Sequence, residues 1–205
     1  MDKIQKINQD FYNKNALAWA STKANSVYDE YVFRKFIKYF KPNDLILDIG
    51  CGHGRNIPLF LGIGRKLKYE GLDISSALLK IAKSRYPQLS FYYRSILNKR
   101  KLPKKQYDGF WAAASLQHIP EKDWPFMLEN IEYLLKTRGV GYISLSKDRP
   151  NPESKTDPRH FNLFSYQKFK KIVSKRGWKI LDYGKLLSTQ RTNVWLWFIV
   201  QLPKS

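Results

Sequence analysis

Leu45-Ile46-Leu47-Asp48-Ile49-Gly50-Cys51-Gly52-His53-Gly54-Arg55 is the stretch on which the reading of this chain turns. Its first five residues read as a buried strand, and Gly50 stops it. Glycines at 50, 52 and 54 permit a tight strand-to-helix turn and let a ligand approach the backbone closely. The helix that follows offers unpaired N–H groups at its start. With Arg at 55 the pattern is GxGxG, not the GxGxxG of dinucleotide sites, and no Lys-Ser/Thr follows to make a phosphate-binding P-loop. An acidic residue two places before the first glycine is poor company for a pyrophosphate and suits a ligand with positive charge nearby. The alternative is a βα turn with no ligand.

Outward from the turn, Tyr69–Leu72 reads as a second strand ending at Asp73, 19 residues after Gly54. A carboxylate there can accept both hydroxyls of a ribose, or it can cap the helix that starts near Ser75. Strand and helix patterns then alternate. Residues 54–62 form a short helix, and Ser75 caps a helix carrying Leu78, Leu79 and Ala82 on one face. Strands follow at Ser90–Tyr93 and Asp108–Ala112. Pro120 opens a helix with the stripe Trp124, Leu128, Ile131 and Leu135, and Val140–Leu145 is a fifth strand. A helix with Phe169, Ile172 and Val173 precedes two closing strands near 178–187 and 192–202. Upstream, residues 1–41 look helical: Phe33, Phe36, Ile37 and Phe40 recur at helical spacing until Pro42. This alternation predicts an α/β fold, a Rossmann-like doubly wound and mostly parallel sheet with helices on both faces. Ligands are expected beyond the carboxyl ends of its strands.

Composition bounds the rest. A chain of 205 residues suits one domain, and 43% apolar content supplies a sizeable core. One cysteine, Cys51, excludes a disulfide framework, and His53, His118 and His160 are too scattered to suggest a metal cluster. The longest apolar run, Val194–Val200, falls far short of the ~20 residues a membrane span needs. The N-terminus has no secretory pattern, so a cytoplasmic protein is expected. Lys and Arg number 37 against 17 Asp and Glu, a net charge of +20 that favours polyanions without bearing on the fold.

Three pieces in order, Leu47-Asp-Ile-Gly-Cys-Gly-His-Gly54, Gly71-Leu-Asp-Ile74, and Tyr107-Asp108 leading to Ser115-Leu-Gln-His-Ile-Pro120, resemble the class I S-adenosylmethionine-dependent methyltransferases. They are particularly similar to the small single-domain members of the type 11 group. The resemblance runs from about residue 40 to 147 and more loosely to the C-terminus. It implies a seven-stranded sheet with one antiparallel strand at the edge. It also implies one domain over 1–205, with a helical lid at 1–41, a cofactor-binding core at 42–147 and a substrate-side portion at 148–205. The cofactor implied is S-adenosylmethionine, leaving S-adenosylhomocysteine as product. Asp48 and the loop of Gly50, Cys51, Gly52 and Gly54 are then expected under the methionine part, with Arg55 reaching its carboxylate. Asp73 is expected on the ribose and Ile74 on the adenine. Ser95 stands where relatives commonly place an acidic residue facing the adenine amino group, so that contact is weaker or passes to the backbone of Ile96. Ala113 and Ser115 are expected at the methionine end. Lys136-Thr-Arg-Gly139 replaces the Lys-Pro-Gly-Gly common in relatives, a structural change at a turn.

Methyl transfer from a sulfonium is an in-line displacement in which alignment and exclusion of water carry much of the barrier reduction. A base is needed only where the acceptor arrives protonated. His118 is the candidate; the alternative is a packing residue before Pro120. Phe11-Tyr12-Asn13 and Trp19 resemble a lid segment, with an amphipathic-helix core as the alternative, and Tyr12 and Trp19 are candidate substrate contacts. Arg159, His160 and Phe161 lie in a long polar loop, and Arg159 and Phe161 are further candidates. The expected acceptor is a small molecule. RNA is the alternative, drawing on Lys99-Arg100-Lys101 with Lys104-Lys105, on Tyr92, Tyr93 and Trp178, and on ten basic residues against one acidic in 159–205. A non-catalytic cofactor-binding module is the lesser alternative. A nicotinamide reductase shares the fold, but Asp48 and Arg55 argue against it.

Overall fold

Alternation of side chains along the central strands puts one apolar core on each side of a single sheet. In the computed structural model, which describes residues 2–22, 28–63, 66–104, 106–148, 157–187 and 194–203, that sheet has seven strands. They are β1 (Leu45–Ile49), β2 (Lys68–Asp73), β3 (Ser90–Tyr93), β4 (Tyr107–Ala113), β5 (Leu135–Ser146), β6 (Lys179–Leu187) and β7 (Val194–Gln201). The order is β3-β2-β1-β4-β5-β7-β6. The first five run parallel; β7 is antiparallel to both β5 and β6. The antiparallel strand therefore sits one place in from the edge, not at the edge as the resemblance implied, because β6 turns back outside it.

The helices divide between the faces. On one, α3 (Tyr28–Phe36), α4 (Ile57–Gly62) and α5 (Ser76–Arg85) bury Phe33, Phe36, Phe60, Leu79 and Ala82 against Ile46, Trp111 and Tyr142. On the other, α6 (Trp124–Leu134) and α7 (Tyr166–Ser174) bury Trp124, Leu128, Ile131 and Phe169 against Leu47, Phe110 and Ile143. Neighbours Ile46 and Leu47, or Phe110 and Trp111, thus face opposite cores, as a period of two requires. Two further helices, α1 (Lys3–Lys14) and α2 (Ala16–Thr22), lie before α3.

Ser75 caps α5 as expected, its hydroxyl accepting the Leu78 N–H at 3.2 Å. The expected helix from Pro120 is instead a single 3-10 turn over Glu121–Asp123, with α6 starting at Trp124. Leu135, assigned by spacing to the helical stripe, opens β5. Its burial suits either element, so spacing alone misplaces it. Parts of the 1–41 helical segment, the 146–164 loop, the Lys104-Lys105 pair and the start of the last strand lie outside the described residues. Among the described residues no helix is long and apolar enough to cross a membrane.

The Lys136–Gly139 segment, expected as a turn, lies within β5, and one of its residues is strained. Arg138 has φ = 60°, the left-handed region that costs a residue with a Cβ about 1–2 kcal/mol. Arg138→Gly is expected to raise the unfolding free energy by about 1 kcal/mol in urea melts, net of the extra freedom glycine brings to the unfolded chain. An unchanged or lower midpoint at equal slope would contradict this.

Candidate active site

The sheet order turns back on itself at β1 and β4, so the segments leaving their carboxyl ends diverge and open a cleft. One wall is the glycine turn. Gly50 has φ = +78°, and a Cβ there would lie 2.3 Å from the Cβ of Ser115. Only glycine lets the first turn residue pass beneath Ser115, whose hydroxyl donates to the Ile49 carbonyl at 2.6 Å and ties the ends of β1 and β4 together. The turn is held from the other side by Asp73. Its Oδ2 accepts the Gly52 N–H at 2.8 Å and its Oδ1 the Ser75 N–H at 2.7 Å. Burial raises the Asp73 pKa, and these N–H donors oppose the rise.

The roof is α1. Its inner face carries Gln5, Asn8, Gln9, Tyr12 and Asn13, a polar stripe at helical spacing where an apolar one is usual. Together they bond to segments that follow β2, β3, β4 and β5. Gln5 Oε1 accepts from Ser95 Oγ (2.9 Å) after β3, and Gln9 Nε2 donates to the Ile74 carbonyl (2.7 Å) after β2. Asn13 Oδ1 accepts from Ser75 Oγ (2.8 Å) and the Ala77 N–H (3.2 Å) at the start of α5. Asn8 donates to the His118 carbonyl (3.1 Å) and accepts the His160 N–H (3.0 Å). These amides were not anticipated from the sequence, because a polar helical stripe has the pattern of a solvated face. Gln5, Asn8 and Gln9 are buried.

At the far end of the cleft the His118 ring is fixed at both nitrogens. Nδ1 lies 2.8 Å from the His160 carbonyl, which can only accept, so Nδ1 carries the proton. Nε2 therefore keeps its lone pair and takes the Tyr12 hydroxyl at 2.9 Å. Burial lowers the His118 pKa to about 4 and keeps the ring neutral near pH 7. Tyr12 also accepts from Arg159 Nη1 at 3.0 Å.

The cavity formed in this way holds about 1030 Å³ of empty space counting its open mouth. It brings together most of the residues singled out in the sequence: Gly50, Cys51, Gly52, Arg55, Asp73, Ile74, Ser95, Ile96, Ala113, Ser115, His118, Tyr12 and Trp19. Four do not line it. Asp48 is turned into the core beneath the turn, Oδ2 accepting from Tyr69 (3.0 Å) and more weakly from Asn56 (3.5 Å). Gly54 serves the turn itself, packed against Ile57 and Tyr86. Arg159 is held by Asp157 (Nε to Oδ1, 2.9 Å) inside a box of Phe11, Tyr12, Trp19 and Phe161, 4.6–5.6 Å from their ring centres. A cation so paired and caged builds the wall and is not free for a ligand. Phe161 packs edge-on to the His118 ring, 4.6 Å between centres.

Asp48 is electrostatically unusual. Its Oδ1 is buried without a hydrogen-bond partner, and desolvation pushes its pKa from 3.8 up to about 7. Between those values the folded chain holds a proton that the unfolded chain has lost. The resulting stability is complete at low pH and disappears as pH rises through 7. The difference in unfolding free energy between Asp48→Asn and the wild type should thus shift in the variant's favour from pH 6 to pH 8. Parallel pH profiles would refute this.

Comparison with known proteins agrees with the geometry. Residues 46–139 match a family described as "Methyltransferase domain". Trans-aconitate 2-methyltransferase of Enterobacter sp. (strain 638) is 30% identical over 115 residues, covering 56% of this chain and 42% of that protein. The chain thus spans less than half the length of the curated trans-aconitate methyltransferases it matches. Magnesium protoporphyrin IX methyltransferase from Synechocystis PCC 6803, solved with bound S-adenosylhomocysteine, superposes with a TM-score of 0.77 at 17% identity, covering 98% of this chain and 100% of that one. Burkholderia thailandensis 1,6-didemethyltoxoflavin-N1-methyltransferase gives 0.79 at 12% identity, covering 100% and 92%. At such identities the superpositions speak for the fold. Taken with the strand order and the glycine turn, residues 46–139 are similar to a methyltransferase domain, in a chain that shares its fold with the solved methyltransferases.

Proposed function

We propose that this chain is an S-adenosylmethionine-dependent methyltransferase acting on a small-molecule acceptor, and that residues 1–205 work as one domain with residues 1–41 as lid. The roofed cavity carries the reading: it opens at the switch point of the sheet, is walled by a glycine turn and a ribose-type carboxylate, and is closed above by α1. The residues present fit the cofactor. The backbone of Gly50–Gly52 and Arg55 suit its amino-acid end, and Asp73 suits the ribose hydroxyls. Ile74 and the Ile96 N–H, which has no hydrogen-bond partner among the described residues, suit the purine. When bound, S-adenosylmethionine supplies a methyl group activated on a sulfonium. Asp48, beneath the turn, supports the loop and is not a contact.

The chain's own contribution is to exclude water, orient the acceptor and take its proton. Tyr12 and His118 face the cavity as a bonded pair. As the acceptor gains a methyl group its own proton becomes strongly acidic, so a base held near pKa 4 suffices. Tyr12 Oη takes the acceptor's proton while passing its own to His118 Nε2. The Nδ1–H bond to the His160 carbonyl keeps that nitrogen facing Tyr12.

A small acceptor is supported by the enclosure and by relatives and structural neighbours named for trans-aconitate, magnesium protoporphyrin IX and 1,6-didemethyltoxoflavin. RNA gains no such support. Of the aromatic residues that would stack bases, Trp178 is buried with its Nε1 donating to Glu132 at 2.7 Å, and Tyr92 donates to Glu70 at 3.0 Å.

Incubation with methyl-labelled cofactor and a fractionated cell extract should place label in the small-molecule fraction; label confined to RNA would overturn the acceptor class. S-adenosylhomocysteine should raise the melting temperature and NADH should not. With a labelled acceptor in hand, Tyr12→Phe and His118→Ala should each slow turnover by about 100-fold, and the double variant no further, since they serve one step. The acid limb of the wild-type rate profile should fall near pH 4 and not near 6.5, following the lowered His118 pKa.

A further inference from the structure

Gln5 is the roof residue whose bonding is half complete. Ser95 Oγ accepts the Leu97 N–H at 3.1 Å and donates its own proton to Gln5 Oε1 at 2.9 Å. The carbonyl end of the Gln5 amide thus faces Ser95. The other end, Nε2, makes no hydrogen bond among the described residues, although the residue is 8% exposed and lines the cavity. On the same wall the Ile96 N–H is also unpaired among the described residues, and Ile96 is 5% exposed. Buried amide groups are nearly always satisfied. Two unpaired donors and one acceptor with a spare lone pair, converging on one cavity, are the complement of a ligand with two acceptors flanking one donor.

Adenine has that edge: N1 and N7 accept on either side of the N6 amino group. We propose that Gln5, brought in by α1, reads the purine of the cofactor, its Oε1 accepting from N6 and its Nε2 donating to N7, while the Ile96 N–H donates to N1. A glutamine amide pairs with adenine N6 and N7 in this way in nucleic-acid recognition. Ser95 is then a positioning residue that orients the Gln5 amide. The lid helix is part of the cofactor site as well as a cover for the acceptor, and its docking and purine binding support each other. This inference rests on the reading of the chain as an S-adenosylmethionine enzyme.

The test is calorimetric titration of S-adenosylhomocysteine and its 7-deaza analogue, in which a C–H replaces N7, into the full chain. The wild type should prefer the natural compound by about tenfold. Gln5→Ala should bind both with equal affinity. Gln5→Glu, which keeps the shape and the acceptor but sets a second acceptor against N7, should lose or reverse the preference and serves if the alanine variant fails to fold. Gln9→Ala, which loosens the roof at Ile74 without touching this edge, should weaken both compounds alike and keep the tenfold preference. Equal wild-type affinity for the two compounds would overturn the proposal, as would a preference retained in the foldable Gln5 variant. A wild type that binds neither compound would instead overturn the cofactor reading, and the purine contact with it.

Discussion

The close passage of Gly50 under Ser115 is the constraint on which the site depends. Strand order reverses between β1 and β4, so the chain leaving β1 must turn away while the chain leaving β4 crosses back toward it. Both can occupy the switch point only where one contributes no side chain. Gly50 meets that demand, and Ser115 uses the space to bond back to Ile49. With those two strand ends pinned, Asp73 can reach the Gly52 N–H and set the depth of the turn. The next residue after Ala113, Ala114, then takes φ = 55°, a conformation alanine rarely adopts, with its N–H donating to Ser144 Oγ at 2.9 Å. Strain of this kind persists where surrounding bonds over-determine the backbone, and here it falls on the cavity wall.

The sheet and the glycine-turn wall of the cleft were legible because they depend on short-range rules. An apolar run that meets alternating glycines states both a strand and the turn that ends it, and an acidic residue at the end of the second strand completes a familiar βαβ unit. The boundaries of β1 and β3 follow directly from such signals. Where a residue satisfies two elements equally the sequence is silent, as at Leu135, apolar and buried whether it closes α6 or opens β5. The side on which a polar residue points is also unreadable without the third dimension. Asp48 and Asp73 are both acidic residues beside the glycine turn, yet one faces the core and the other the cleft.

The roof was the least legible part, for a reason of chemistry. Burial is recognised in a sequence by apolar residues, and α1 buries Gln5, Asn8 and Gln9 instead. Such a face is stable only where every partner is a backbone group or hydroxyl that a strand-end segment leaves unpaired, and those partners lie 65 to 152 residues away along the chain. Arg159 misleads in the opposite sense. A basic residue in a polar loop suggests a ligand contact, but four aromatic rings and Asp157 account for it fully.

The face that α1 turns inward is also uncharged, its Lys3, Lys6, Asp10 and Lys14 lying outside the polar stripe. In a chain of net charge +20, a lid secured by ion pairs alone would loosen with salt and with every titrating partner. Primary amides neither titrate nor add to the field. On the proposed reading, helix α1, about 18 Å of rod by its twelve residues, joins the purine side of the cleft at Gln5 to the proton-accepting side at Tyr12 through side-chain amides. The two halves of the proposed reaction would then be mechanically linked: a rigid bar fastened at both ends detaches as one piece, so access for an acceptor and escape of a spent cofactor would become a single event.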